Sequence, residues 1–437
     1  MKRLWILADD LTGAIDTGIK FADRGILTCV LPFGVPDTAG KREDSQEQDT
    51  SRNRQNSASL TDAPVMVINT MSRHDTPHAA KEKIKRILCQ AKKADVDYLY
   101  KKTDATLRGN IGAELGEMAV HSETRTVVFL PSFPEMGRTV LDGVCYVDGI
   151  PLKDTPMARD PFTPVKHSKI RKVIAEQTDI PVIENKKNYT LPETFSSPCI
   201  CVFDGETKED LDLAARALRD CSKIRYTAGC SAFAQSLIPY LGLTGQIKKK
   251  PRGCKGAPIL TVCGSINETT LQQTRYAGDV LGYQVVTLTP EQKLVSRYSE
   301  KGTAFFLEMT TLLKRTKKLL IRAVSDQSDM EETARLCCKL SINPETAHLH
   351  IADQIGRLTA QLLQNNPASV AILFGGDTLA GAIRHLGTEQ IQLLGEIAPG
   401  VVDTLLFAGK NQYRIITKSG ALGGREIMQV IEDYLSQ

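Results

Sequence analysis

Leu4-Trp5-Ile6-Leu7-Ala8, followed at once by Asp9-Asp10-Leu11-Thr12-Gly13-Ala14, is the stretch that decides the fold. A short apolar run that stops on charged residues and passes into a helical pattern reads as a strand buried on both faces, feeding a helix at its C-terminal end. The run is too short for a signal-peptide core or a bilayer span. Open α/β sheets place their ligands at such strand ends, so the two carboxylates carry chemical as well as structural information.

The same pattern recurs along the chain. Strands are predicted at 28–31, 65–69, 98–101, 127–130, 181–183, 200–203 and 224–226, with helical periodicity in most of the gaps. Thr76 before Pro77 marks a helix start, and Ile84, Ile87, Leu88 and Ala91 then share one apolar face. Residues 37–62, and within them the run 41–56, are almost devoid of apolar side chains and read as a polar mobile insertion. Residues 244–257 combine three glycines, Pro251 and five basic residues and read as a linker. A second series of strands follows at 259–263, 284–288, 318–323, 370–374, 404–407 and 413–417. The expected fold is therefore two α/β domains, 1–243 and 258–437, with largely parallel sheets and an interdomain cleft between their ligand-binding edges.

Bulk properties agree with this and exclude several function classes. At 437 residues, one small module is ruled out. With 41% hydrophobic and 24% charged residues the chain is an ordinary globular protein. A net charge of +4 from 55 basic and 51 acidic residues is too small to demand a nucleic acid or an anionic membrane as partner. The eleven cysteines form no CxxC pair and sit mostly in apolar contexts, which points to reduced thiols in the cytoplasm rather than a disulfide or zinc framework. His74 and His78 flank Pro77 at a helix start, and His348 and His350 have no acidic or thiol cluster around them; both pairs read as structural, and no metal ligand set is assigned.

Chemistry is concentrated after the strands. Asp9 and Asp10 repel each other unless a cation, a hydroxylated ligand or helix N–H groups are present, the alternative being an N-cap aspartate with its neighbour in solvent. Ser72-Arg73 follows the third strand. Lys102-Thr103-Asp104-Ala105-Thr106-Leu107-Arg108-Gly109-Asn110 follows the fourth. That loop suits a small polyhydroxylated carboxylate, with Arg and Lys for the carboxylate and Asp and Asn for hydroxyls; a solvated turn is the plainer reading. In the second half Gly264-Ser265, Gly375-Gly376-Asp377-Thr378 and Lys418-Ser419-Gly420 are glycine turns between strands and following segments. Such turns let backbone N–H groups approach phosphate. No GxxxxGK[ST] loop and no GxGxxG fingerprint is present, which argues against P-loop and dinucleotide folds.

In their order these motifs resemble the four-carbon acid sugar kinase family. The ADDxTGA motif is matched by residues 8–14 with Asp16 following, the Ser-Arg pair by Ser72 and Arg73, and the K-x-DSTLRGN segment by Lys102 to Asn110. A stretch of the form R-x-x-x-x-G-x-x-Y-V-x-G-x-P-L is matched from Arg138 to Leu152, with Asp160-Pro161 downstream. Ala105 stands where the family pattern has Ser, and Ala421-Leu422 where Gly-Phe is commoner. The resemblance implies a sugar-acid-binding domain at 1–243, a nucleotide-binding domain at 258–437, and ATP with Mg²⁺ as co-substrate. It implies substrate contacts from Asp10, Arg73, Lys102, Asp104, Thr106 and Arg108, with Asp10 or Asp104 as proton acceptor. Nucleotide contacts would come from Ser265, Gly375, Gly376, Asp377, Thr378 and Gly420. The expected partners are a small sugar acid and ATP, with neither nucleic acid nor membrane, and a homo-oligomer is compatible. The contrasting reading is a non-catalytic two-domain binder of small sugar acids.

Overall fold

The computed structural model describes residues 1–35, 63–160, 163–244, 254, 256–265, 267–294, 300–420 and 422–437; the polar 37–62 insertion and most of the 244–257 linker lie outside them. The chain divides into two compact units, Met1–Ile247 and Lys248–Gln437.

The N-terminal unit holds β1 (Leu4–Ala8), β2 (Thr28–Leu31), β3 (Val65–Asn69), β4 (Tyr98–Lys102), β5 (Thr126–Leu130), β6 (Arg138–Leu141), β7 (Val144–Val147), β8 (Ile150–Pro151), β9 (Val182–Asn185), β10 (Cys199–Phe203) and β11 (Tyr226–Gly229). Its main sheet runs β2-β3-β1-β4-β11-β5-β10-β9. Every pairing in that order is parallel. All five residues of β1, β3, β5 and β10 are buried, as expected for strands covered on both faces. The helix Pro77–Lys93 begins where Thr76 accepts the Ala79 N–H, and it buries Ile84, Ile87, Leu88 and Ala91.

Two local features escape hydrophobic periodicity. Tyr226–Gly229 lies further along than the predicted 224–226, and its small residues explain why. A Cβ on Gly229 would meet the Leu130 carbonyl oxygen at 2.2 Å, so only glycine lets β11 pack between β4 and β5. The second is a three-stranded antiparallel sheet, β6-β7-β8. Its turns are Asp142-Gly143 (φ 49 and 66) and Asp148-Gly149 (φ 50 and 79), two-residue hairpin loops with both residues in the left-handed region. The Asp-Gly pairs are visible in the sequence, but the strands between them are short and only half-buried.

The C-terminal unit holds β12 (Ile259–Cys263), β13 (Gln284–Thr287), β14 (Lys318–Arg322), β15 (Val370–Phe374), β16 (Gln390–Ala398), β17 (Val401–Ala408) and β18 (Asn411–Lys418), in the order β13-β14-β12-β15-β18-β17-β16. The first five are parallel and the last three form an antiparallel meander. β16 is unannounced by the sequence pattern because Gln390, Gln392 and Glu396 interrupt its apolar residues and its pairing with β17 shifts register twice.

Register aligns the strand ends within each unit. Ala8 pairs with Asn69 and with Lys102, and Lys102 with Gly229. Cys263 pairs with Phe374, and Phe374 with Lys418. The motif-bearing loops of each unit therefore leave the sheet at one edge.

Helices Pro344–Asn365 and Gly376–Leu386 meet main chain to main chain: a Cβ on Gly356 would lie 2.3 Å from the carbonyl carbon of Gly381. In an exposed helix Gly→Ala gains about 1 kcal/mol. Here Gly356→Ala is expected to destabilise by about 1–3 kcal/mol through overpacking, read as a lower denaturant midpoint with an unchanged slope.

Candidate active site

At the end of β1 the two aspartates have different fates. Asp10 is the N-cap of helix Leu11–Ala22, its Oδ1 accepting the Gly13 N–H at 2.7 Å. Asp9 is only 3% exposed and receives both edges of Arg73, Nε to Oδ2 at 2.8 Å and Nη2 to Oδ1 at 3.0 Å. Arg73 Nη1 also donates to Asp10 Oδ2 at 2.5 Å. Beneath this clamp, fully buried Lys101 pairs with buried Glu114 at 3.1 Å, and Glu114 accepts the Ser72 hydroxyl at 2.6 Å. Burial alone would raise the Asp9 carboxyl, but Lys101 and Arg73 outweigh it and hold it below the usual carboxylate range. Burial raises Glu114, with Lys101 opposing.

Next to this clamp a cavity of about 530 Å³ opens, within the range of small-molecule sites. Lys102, Asp104, Thr106 and Arg108 line it, with Asp16 on helix Leu11–Ala22 and Cys230 after β11. Phe133, Arg138, Met157, Arg159 and Asp160 complete much of the wall. Asp104 accepts Arg108 Nε at 2.6 Å and the Thr106 hydroxyl at 2.5 Å, while Arg108 Nη1 reaches Asp160 at 3.1 Å. Burial would lift the Asp104 carboxyl, yet Arg108 overrides it and takes the carboxyl far below its ordinary value. Lys102 is 6% exposed and makes no side-chain hydrogen bond or ion pair within 4.0 Å among the described residues. Burial would lower its pKa, but Asp16, Asp10, Asp9 and Asp104 surround it and raise it. Gly109 (φ +95) lets the loop pass, since a Cβ there would meet Asp9 Oδ2 at 3.2 Å.

Four of the six residues picked from the first-half motifs thus share one cavity. Arg73 instead lines a smaller neighbouring one of about 190 Å³, and Asp10 lines neither, being tied to Arg73 and the helix start. Asp9 is the buried member of the pair, not the solvated one. Asp16, Glu114, Arg138 and Asp160 were not selected. The sequence marks Asp16, Arg138 and Asp160 only as parts of longer motifs, and Glu114 carries no local signal because it stands within an otherwise apolar helix.

In the C-terminal unit the three glycine turns converge. The Gly375 N–H donates to the Lys418 carbonyl at 3.0 Å, and the Thr270 hydroxyl donates to the Gly420 carbonyl at 2.9 Å. Ser265 Oγ lies 3.4 Å from that same hydroxyl. A Cβ on Gly264 would meet Thr378 Oγ1 at 2.4 Å. Helix Gly376–Leu386 starts at Gly375 with no side-chain cap. An apolar cavity of about 350 Å³ adjoins Gly264, Asp377 and Thr378, walled by Val324, Met330, Ile351 and Ile355 and by buried Lys293, which pairs with Asp329. Among the described residues no three His, Cys, Asp or Glu gather as a metal site.

Comparison with known proteins agrees with this division. A model of a sugar-binding N-terminal domain matches residues 4–237, and one of a nucleotide-binding C-terminal domain matches 260–428. The chain belongs to the four-carbon acid sugar kinase family. Within this family it is 28% identical to a D-threonate kinase of Salmonella typhimurium, over 96% of this chain and 95% of the relative. It is 27% identical to a D-erythronate kinase of Heliobacterium modesticaldum, over 100% and 97%. A 3-oxo-tetronate kinase of Methylobacterium radiotolerans is 24% identical, over 97% of each chain. Two crystal structures share the family fold at 19% identity, from Salmonella typhimurium LT2 with a TM-score of 0.78 and from Haemophilus influenzae with 0.72, each covering 99% of this chain and all of the other. Among the described residues no helix is long and apolar enough to cross a membrane.

One member of the kinase family's late KSG motif has an unusual environment. Lys418 is 2% exposed, donates to the Ser419 and Gly420 carbonyls at 3.1 and 2.6 Å, and lies over the Phe374 ring. Burial lowers its pKa from 10.5 to about 8. Between these values the unfolded chain binds more protons here than the folded one, so the residue's contribution to stability rises with pH across that window. Denaturant titrations should show wild type gaining on Lys418→Met from about pH 8 to 10.5; a pH-independent difference would contradict the burial effect.

Proposed function

We propose that this chain is an ATP-dependent kinase that phosphorylates the terminal hydroxyl of a four-carbon sugar acid: threonate, erythronate or 3-oxo-tetronate. The observation that carries this reading is Lys102, a buried ammonium open to the cavity with no direct protein partner among the described residues, flanked by Thr106 and Arg108. The surrounding carboxylates already favour its charged form without bonding it directly, so its N–H donors can be taken by an anionic ligand. In this reading Lys102 and Arg108 take the acid's carboxylate, and Thr106 a hydroxyl. Arg73, held by Asp9 and Asp10, closes the site from the side of the smaller cavity. Residues 1–243 would be the sugar-acid domain and 258–437 the nucleotide domain.

For the nucleotide, Ser265, Gly375, Gly376, Asp377, Thr378 and Gly420 would contact the phosphates through backbone N–H groups and short hydroxyls, and the apolar cavity beside them would take the base. Phosphoryl transfer runs mainly on positioning and charge neutralisation, which such turns supply. Mg²⁺ is bound in such enzymes mostly by phosphate oxygens and water with one or two carboxylates, and Asp377 fits that need. When present it would neutralise charge on the transferred group.

ADP release in a coupled assay is expected with at least one of D-threonate, D-erythronate and a 3-oxo-tetronate; none with any of them overturns the kinase reading. Lys102→Met is expected to weaken sugar-acid binding in calorimetry by roughly 10- to 150-fold, the worth of one charge-assisted contact. In the C-terminal unit Ala334, on the rim of the apolar cavity, tests the base site. Ala334→Trp should weaken ADP binding at least tenfold and leave sugar-acid binding unchanged; unaltered ADP affinity would move the base elsewhere.

A further inference from the structure

The motifs leave the proton acceptor open between Asp10 and Asp104, and the geometry commits both elsewhere. Asp10 caps a helix, binds Arg73 and does not line the large cavity. Asp104 does line it, but it is bonded to Arg108 and Thr106. Asp160, a second cavity carboxylate, holds Arg108 from the other side. The third is Asp16. It projects from helix Leu11–Ala22 between buried Ile15 and Thr17, lines the cavity, and makes no hydrogen bond or ion pair among the described residues. Of the carboxylates around the Lys102 ammonium, Asp16 acts on it most strongly.

We propose that Asp16 is the catalytic base, accepting the proton of the sugar-acid hydroxyl that attacks ATP; this rests on the kinase reading given above. In the step, the hydroxyl oxygen forms a bond to the γ-phosphorus. The bond from that phosphorus to the β,γ-bridging oxygen breaks, and ADP leaves with the electron pair. The hydroxyl proton passes to a carboxylate oxygen of Asp16. The geometry favours this residue because its oxygens are open to the cavity while every other carboxylate on the wall is already engaged by a guanidinium. Lys102 beside it ties the base to the group proposed to hold the acid, so acceptor hydroxyl and base are positioned together.

The test is Asp16→Asn, nearly identical in shape, compared with wild type in steady-state ADP release, in calorimetric binding of the acid that wild type turns over, and in thermal melting. Loss of a general base is expected to lower kcat by roughly 10²- to 10⁴-fold. The dissociation constant of the acid should stay within threefold, the melting temperature should be unchanged, and Asp16→Glu should recover part of the rate. A kcat within threefold of wild type overturns the role of Asp16 and leaves the kinase reading intact. Binding that weakens as much as turnover falls makes Asp16 a binding residue and overturns the proton transfer. If Asp16→Asn melts early, Asp16→Glu carries the comparison: a folded Glu variant without any recovered rate counts against the proposal. Absence of turnover by wild type with every sugar acid defeats the kinase reading itself, and this assignment with it.

Discussion

Two like charges on neighbouring residues at the end of a buried strand are an expense the N-terminal unit meets with Arg73 and Lys101. Arg73 takes Asp9 with two parallel hydrogen bonds and reaches Asp10 with its remaining nitrogen. Bidentate geometry of this kind fixes orientation as well as charge. Because Arg73 follows β3, and Lys101 and Lys102 are in β4, the clamp fastens three adjacent strand ends together. The cavity-lining loop after β4 is then pressed against it at Gly109, so the positions of Asp104, Thr106 and Arg108 follow from the same constraint.

A division of electrostatic labour results. Asp9, Asp10, Asp104 and Asp160 are each bonded to a guanidinium, whereas among the described residues Asp16 and Lys102 have no direct partner. The C-terminal unit is built differently. There helix Gly376–Leu386 starts without a side-chain cap, and the buried Lys418 donates to the carbonyls of its own turn. In the proposed function, side chains would recognise the sugar acid in one unit and main chain the phosphates in the other, as suits one ligand that varies in its hydroxyls and another that presents repeated phosphates.

Much of this was legible from residue order. Strands buried on both faces announce themselves as apolar runs, and β1, β3, β12 and β15 fall where such runs predict. Glycine turns and charged loops after strands identify the ligand edge, because parallel register brings those ends together. What stayed hidden depends on contacts remote in sequence. Asp9 and Asp10 are indistinguishable until Arg73 is placed. Glu114 is a lone acid in an apolar helix until Lys101 lies beside it. Asp104 looks like a free base until Arg108 closes on it, and Asp16 gains significance only when the other cavity carboxylates are found occupied. β16 and the β6–β8 hairpins were hidden for a different reason: half-buried strands with polar interruptions lack the periodicity that marks buried ones.

The main-chain contact between Gly356 and Gly381 also acts on the nucleotide unit's dimensions. One of the two helices begins at the glycine turn, and the other supplies Ile351 and Ile355 to the apolar cavity. With no side chain between them to compress or change rotamer, neither helix can slide along the other without a backbone collision. The spacing between turn and cavity is therefore set by backbone rather than by side chains, like the jaws of a fixed caliper.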